Sequence, residues 1–149
     1  MHDVILESIR EGDFEELCSL FLEFATFEKL PERMINTVEK MKSEKEYFQG
    51  FVARGGGKKI IGYVTFFHAY YTWTGKSLYM DDLYVREEFR GKGIGSELVK
   101  EVISYAKKSG CNGLRWQVSN WNTHAINFYE NLGAKINKIE MNCDLIFDK

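Results

Sequence analysis

The chain has 149 residues, 44% of them apolar, 28% charged and 15% aromatic, which is the make-up of one ordinary globular domain and not of a disordered segment. Twenty basic side chains against 22 acidic ones leave a net charge of −2, which argues against a generic nucleic-acid binder, because such proteins need a basic surplus to neutralise phosphates. Three cysteines, Cys18, Cys111 and Cys143, stand at long spacings and fit neither a disulfide framework nor a CxxC site; a reduced, cytoplasmic setting is the expectation. The acidic start (Asp3, Glu7, Glu11, Asp13) is no signal peptide. The longest stretch without Asp, Glu, Lys or Arg, from Ile60 to Gly75, is too short and polar to span a bilayer, so no membrane partner is expected.

Residues 4–10 read as a first strand, stopped by Gly12-Asp13. Asp13 with Glu16 resembles a capping box, and Phe14, Leu17, Cys18, Phe21 and Phe24 recur at helical spacing. A second helix is expected from Pro31, with Met34, Val38 and Met41 as its apolar stripe. From Lys45 the texture turns to strand: Tyr47–Arg54, then Ile60–Tyr71 after the Gly55-Gly56-Gly57 turn, then Ser77–Val85. A loop over Arg86–Gly95 leads into a helix through Lys108, apolar along Leu98, Val99, Val102, Ile103 and Ala106 and ended by Gly110. Leu114–Val118 reads as a short strand and Thr123–Leu132 as a helix closed by Gly133. Lys135–Phe147 reads as two short strands or a hairpin. The order βαα-βββ-α-β-α-ββ is a mixed α+β plan in one domain, residues 1–149.

The stretch with most chemical content is Arg90-Gly91-Lys92-Gly93-Ile94-Gly95-Ser96, which follows a strand and opens a helix. Glycines there let backbone N–H groups reach an anion without a Cβ in the way, and the helix N-terminus favours negative charge. The spacing is neither a Walker A loop nor GxGxxG.

Arg90-x-x-Gly93-x-Gly95, placed after Met80-Asp81-Asp82-Leu83-Tyr84-Val85, resembles the acetyl-CoA signature of the GNAT superfamily of N-acetyltransferases. Asn122-Thr123-His124-Ala125-Ile126-Asn127-Phe128-Tyr129 with Gly133-Ala134 resembles that superfamily's next motif, and the element order fits its plan. The finer resemblance is to the spermidine/spermine and thialysine N-acetyltransferases, through Phe27-Glu28, Trp73-x-Gly75-Lys76, Leu78-Tyr79-x-x-Asp82 and Trp121-Asn122. Asp81 stands where that subfamily usually has Glu, and Phe27 where Tyr is common.

The resemblance implies a central, mostly antiparallel sheet of about seven strands, flanked by about four helices, with a splayed strand pair that binds acetyl-CoA. It implies that Leu83, Tyr84 and Val85 hold the pantetheine arm as an added strand, with the Leu83 N–H polarising the thioester carbonyl. Arg90, Gly91, Lys92, Gly93, Ile94, Gly95 and Ser96 would hold the pyrophosphate, and Asn122, Ala125, Asn127 and Phe128 would lie on the same cofactor. Tyr129 takes the general-acid position, since a phenol of pKa near 10 can protonate a leaving thiolate. Phe27, Glu28 and Asp81 fall at positions that face the amine, with Asp81 the leading proton acceptor and Glu28 the second.

Neighbours on a regular strand point to opposite sides, so only one of Asp81 and Asp82 is expected to face the site. Nine acids within the first 32 residues (Asp3, Glu7, Glu11, Asp13, Glu15, Glu16, Glu23, Glu28, Glu32) face only Arg10 and Lys29, a balance that suits a cationic amine, although a solvated helix face reads the same way. His2, His68 and His124 have no metal-ligand spacing, so no metal is expected. Phe66, Phe67, Tyr70, Tyr71 and Trp73 form an aromatic band suited to core packing or a homodimer contact. Other readings are acetylation of another amino acid, a protein N-terminus or a lysine, and a non-catalytic acyl-CoA sensor.

Overall fold

The computed structural model describes residues 3–147, so His2 lies outside the described residues. The chain divides into two compact units, one up to Trp116 and one from Gln117 onward.

The first unit is a five-stranded sheet in the order β1-β2-β3-β4-β5: β1 Ile5–Ser8, β2 Gln49–Arg54, β3 Ile60–Tyr71, β4 Gly75–Val85 and β5 Leu114–Arg115. The first four strands pair antiparallel, and β5 runs parallel to β4. Helix α1 (Phe14–Phe27) and helix α2 (Val38–Ser43) cover one face. Their Phe14, Leu17, Leu20 and Met41 pack with Val52, Ile60, Tyr63 and Tyr84 of the sheet. Helix α3 (Ile94–Lys108) covers the other face. It buries Leu98, Val99 and Val102, and its Tyr105 ring lies 5.2 Å from that of Phe66. A fully buried Leu or Ile here contributes about 1.5–3 kcal/mol.

The start of α1 departs from the capping-box expectation. Asp13 Oδ1 accepts from Arg54 at 2.6 Å and Oδ2 from the Arg10 N–H at 2.9 Å, while Glu16 accepts the Ile60 N–H at 2.8 Å. Asp13 thus caps the preceding 3-10 turn (Glu11–Asp13) through Arg10 instead of α1, while its other oxygen and Glu16 tie the helix to β2 and β3. The expected helix from Pro31 is interrupted: Pro31–Arg33 forms one 3-10 turn, and α2 starts at Val38 behind Thr37, whose hydroxyl accepts the Lys40 N–H at 3.1 Å.

In the second unit, α4 spans Thr123–Asn131 and ends before Gly133, whose φ is +96°. Lys135–Phe147 forms no strand, which leaves five strands among the described residues instead of about seven. Ile139, Met141, Leu145, Ile146 and Phe147 are all exposed. Alternation of apolar and polar residues prepares one face of a strand, but a ladder also needs a neighbouring backbone to bond. No described helix is long and apolar enough to cross a membrane.

Candidate active site

Strand β4 is the centre of the site. It pairs with β3 as far as Val85 but with β5 only at Leu78 and Tyr79. From Met80 to Val85 the strand has no ladder with its parallel neighbour; the Val85 carbonyl accepts from Arg90, and the other main-chain groups on that edge can meet an extended ligand. The Leu83 side chain points to the α3 face, opposite Val64; Tyr84 points to the α1 face, opposite Tyr63, and its hydroxyl donates to Glu23 at 2.7 Å. Burial and the Glu23 carboxylate push the Tyr84 phenol up to about 12.

The register changes within this stretch. Thr65 opposes Asp82 and Phe66 opposes Met80, so Asp81 is an extra residue, a β-bulge on β4. Tyr79, opposite Phe67, and Asp82, opposite Thr65, both belong to the α1 face, and the charge of the inserted Asp81 acts on Tyr79, Tyr63 and Asp82 of that same side. The expectation that Asp81 and Asp82 point to opposite sides is thus corrected: a bulge breaks the period of two on which it rested. The Tyr63 hydroxyl donates to Asp82 Oδ2 at 3.2 Å, and the Asp82 N–H donates to Thr65 Oγ1 at 3.2 Å.

Both carboxyls feel this crowding. Asp81 is accessible to solvent yet surrounded by protein atoms, and partial desolvation raises its pKa. Asp82 lies deeper. Desolvation first, then the negative charges of Asp81 and Glu28, raise it to about 7 against the lowering effect of the Tyr63 hydrogen bond. Glu28 stands at the C-terminal end of α1, next to the half-exposed Phe27. Phe27, Glu28, Asp81 and Asp82 thus belong to one side of the sheet. Asp82 and Glu23 stand in the sequence only as part of a motif and an acidic cluster, and Tyr63 carries no motif at all, because a bulge and the cross-strand contacts of β3 leave no local pattern.

Past Val85 the chain makes a 3-10 turn, Glu87–Phe89, and enters the glycine loop. Arg90 holds the loop to the strand end: its Nε donates to the Val85 carbonyl at 2.7 Å, and its guanidinium lies 4.7 Å from the Phe27 ring centre and 5.2 Å from that of Tyr84. Lys92 reaches over the Phe89 ring at 5.5 Å. Gly91 and Gly93 have φ of +78° and +84°, a region that favours glycine, and a Cβ on either would meet no atom within 4 Å. Gly93 is the N-cap of α3, so the N–H groups of Ile94, Gly95 and Ser96 begin the helix without intrahelical acceptors. Open space before a row of donors at a helix N-terminus fits a pyrophosphate.

The other sequence candidates, Asn122, Ala125, Asn127, Phe128 and Tyr129, lie on or beside α4 in the second unit. Asn122 Oδ1 caps that helix by accepting the Ala125 N–H at 3.1 Å, and Tyr129 is buried with its ring 5.4 Å from that of Phe128. His68 contacts the Tyr105 hydroxyl at 3.4 Å on the α3 side, and His124 is on α4. Among the described residues no three His, Cys, Asp or Glu side chains gather as metal ligands do.

Comparison with known proteins accords with this geometry. The acetyltransferase (GNAT) family profile matches residues 14–134. Thialysine N-epsilon-acetyltransferase of Sus scrofa is 33% identical over 146 residues, covering 91% of this chain and 86% of that protein. The spermidine/spermine N(1)-acetyltransferase-like protein 1 of Homo sapiens is 31% identical over 133 residues, covering 83% of this chain and 19% of that longer protein. Among solved structures, an aminoglycoside acetyltransferase from an uncultured soil metagenomic sample superposes with a TM-score of 0.82 at 20% identity, covering 97% of each chain, a likeness of fold.

Proposed function

We propose that this chain, which belongs to the acetyltransferase (GNAT) family, moves an acetyl group from acetyl-CoA to the primary amine of a small cationic acceptor, a diamine, polyamine or lysine-like amino acid. The carrying observation is the bulge on β4, which turns Asp81 and Asp82 to the side where Glu28 ends α1. Three carboxyls on one side attract an ammonium group, and a second ammonium on the acceptor would be held by one of them while the first meets the thioester. The name of the thialysine N-epsilon-acetyltransferase, and the likeness to a spermidine/spermine N(1)-acetyltransferase-like protein, support the same class.

Acetyl-CoA, when bound, supplies the acetyl group as a thioester. The freed main chain of Leu83, Tyr84 and Val85 holds its pantetheine arm, and the Leu83 N–H stabilises charge on the carbonyl oxygen. The N–H groups of Gly91–Ser96 bind the pyrophosphate, with Lys92 adding charge and Arg90 fixing the loop to the strand. In the second unit, Asn122, Ala125, Asn127 and Phe128 would contact the cofactor, and Tyr129 would be the proton donor to its sulfur. On the acceptor side, Phe27 provides an apolar wall, Glu28 binds the remote ammonium, and Asp81 engages the reacting one. Residues 1–149 act as one catalytic domain, cytoplasmic and homodimeric.

A panel of diamines, lysine analogues and length-matched monoamines, read by release of free CoA thiol, tests this reading. Diamines and lysine analogues are expected to have the higher kcat/KM, and Glu28→Gln to raise KM for a diamine far more than for its matched monoamine. Equal kcat/KM for both classes, unchanged in Glu28→Gln, rejects the cationic acceptor. Tight CoA binding without turnover of any amine makes the chain a sensor instead.

A further inference from the structure

We propose that Asp82, which shares the α1 face of β4 with Tyr84 and is held from β3 by the Tyr63 hydroxyl, is the carboxylate that takes the proton from the acceptor ammonium. This inference rests on the acetyl-transfer reading above and reassigns one step within it. Asp81 then becomes the outer carboxylate that engages the ammonium, and Tyr63 a positioning residue.

Three observations converge on Asp82. The register is the first: Asp82 opposes Thr65 and stands two residues from Tyr84, so it faces the α1 side, where Glu28 ends α1. The second is the division of its hydrogen bonds. Thr65 accepts the main-chain N–H and anchors the strand there, while Tyr63 donates to Oδ2 at 3.2 Å, which leaves Oδ1 to receive a proton. The third is its electrostatic surroundings. The groups that act on it are Asp81 on its own strand, Glu28 at the end of α1 and Tyr63 on β3; Tyr84, also on the α1 face, is engaged with Glu23. Desolvation first, then two negative neighbours, against the lowering effect of the Tyr63 hydrogen bond, bring the carboxyl to about 7, where a general base is most effective at neutral pH. A fully exposed aspartate, near 3.9, is too weak a base to take a proton from an alkylammonium near 10.

In the step, one ammonium N–H bond breaks, its electron pair stays on nitrogen as the attacking lone pair, and the proton forms an O–H bond at Asp82. The second proton that nitrogen loses on forming the amide balances the one gained by the leaving sulfur. Asp82 returns its own proton to solvent before the next turnover, so one proton is released per amine acetylated.

Tyr63 stabilises the ionised form of Asp82, and Asp81 and Glu28 destabilise it, so their substitutions move the pH profile in opposite directions. Tyr63→Phe removes one hydroxyl and keeps the buried ring. Its acid-limb midpoint in kcat/KM is expected to rise by about one pH unit, since a hydrogen bond to a charged group is lost. Asp81→Asn and Glu28→Gln are expected to lower that midpoint. Asp82→Asn should reduce kcat at pH 7 by roughly 10²-fold or more and abolish the limb. As a readout independent of turnover, carboxyl carbon NMR of the ligand-free protein should show one Asp titrating near neutrality, absent in Asp82→Asn and displaced upward in Tyr63→Phe.

Full activity and an unmoved limb in Asp82→Asn, with the limb lost in Asp81→Asn, would overturn the assignment and return the base to Asp81. A profile unmoved by Tyr63→Phe overturns its positioning role. If the wild-type chain acetylates no amine, the acetyl-transfer reading itself fails; an active enzyme with no carboxyl titrating near neutrality sinks the Asp82 assignment alone.

Discussion

Asp82 keeps its proton to a pH at which an exposed aspartate has lost it, and that has a consequence for stability. Its pKa is raised from 3.8 to about 7 on folding, so between those values the native state binds the proton more tightly than the unfolded chain does. Stability that is complete below about pH 4 is lost as pH rises to about 7. Asp82→Asn removes this cost. Its melting temperature is therefore expected to exceed that of the wild type by a margin that widens from pH 4 to pH 7 and then levels, measured by thermal scans across that range. A constant margin would mean that the carboxyl titrates normally. Tyr129 belongs to the same scale. Tyr129→Phe keeps the buried ring and removes the proton, so kcat is expected to fall by roughly 10²-fold in CoA-release assays.

At the scale of the element, the glycine loop separates two roles that look alike in sequence. Gly93 sits at φ +84°, so Gly93→Ala places a side chain in the left-handed region and is expected to cost about 1–2 kcal/mol in urea unfolding. Gly95 is helical, and an added Cβ would lie 3.8 Å from Val85 Cγ2, an ordinary contact. Gly95→Ala is therefore expected to be neutral or to stabilise α3 by up to about 1 kcal/mol and to retain CoA binding by calorimetry, because its new methyl faces the strand. The junction of β1, β2 and α1 carries a different kind of energy. Arg54 is largely buried between Asp13 and Glu7, each at 2.6 Å. Arg54→Met strands the buried Asp13 and is expected to cost about 3–5 kcal/mol in the same assay.

For the whole molecule, the hairpin joining β3 and β4 presents Tyr70 and the nearly fully exposed Trp73 on its outer end, aromatic surface that would gain from burial. The proposed homodimer would use such surface. Light scattering at micromolar concentration is expected to give twice the mass of the 17.4 kDa chain, and Tyr70→Ser with Trp73→Ser to shift it toward the monomer. A wild-type mass of one chain would reject the dimer.

The amino-acid sequence by itself determined the α+β class, the long strand Ile60–Tyr71, the helix leading to Gly110 and the glycine loop at its start. Each is written in local terms: a period of two or 3.6, or a glycine where φ must be positive. It also carried the motifs by which the family is recognised. Tertiary structure decided what depends on contacts between distant segments. The side chains of Asp13 and Glu16 look like a local cap, but Arg54 and the Ile60 main chain lie close enough in space to claim them. The alternating residues after Lys135 lack a ladder in spite of their pattern, since pairing needs a neighbour that the pattern does not supply. The bulge at Asp81 is visible only in the register of β4 against β3. One extra residue there brings both carboxylates to one side, and burial beside Tyr63 then raises one of them to neutrality, an effect that no spacing along the chain encodes.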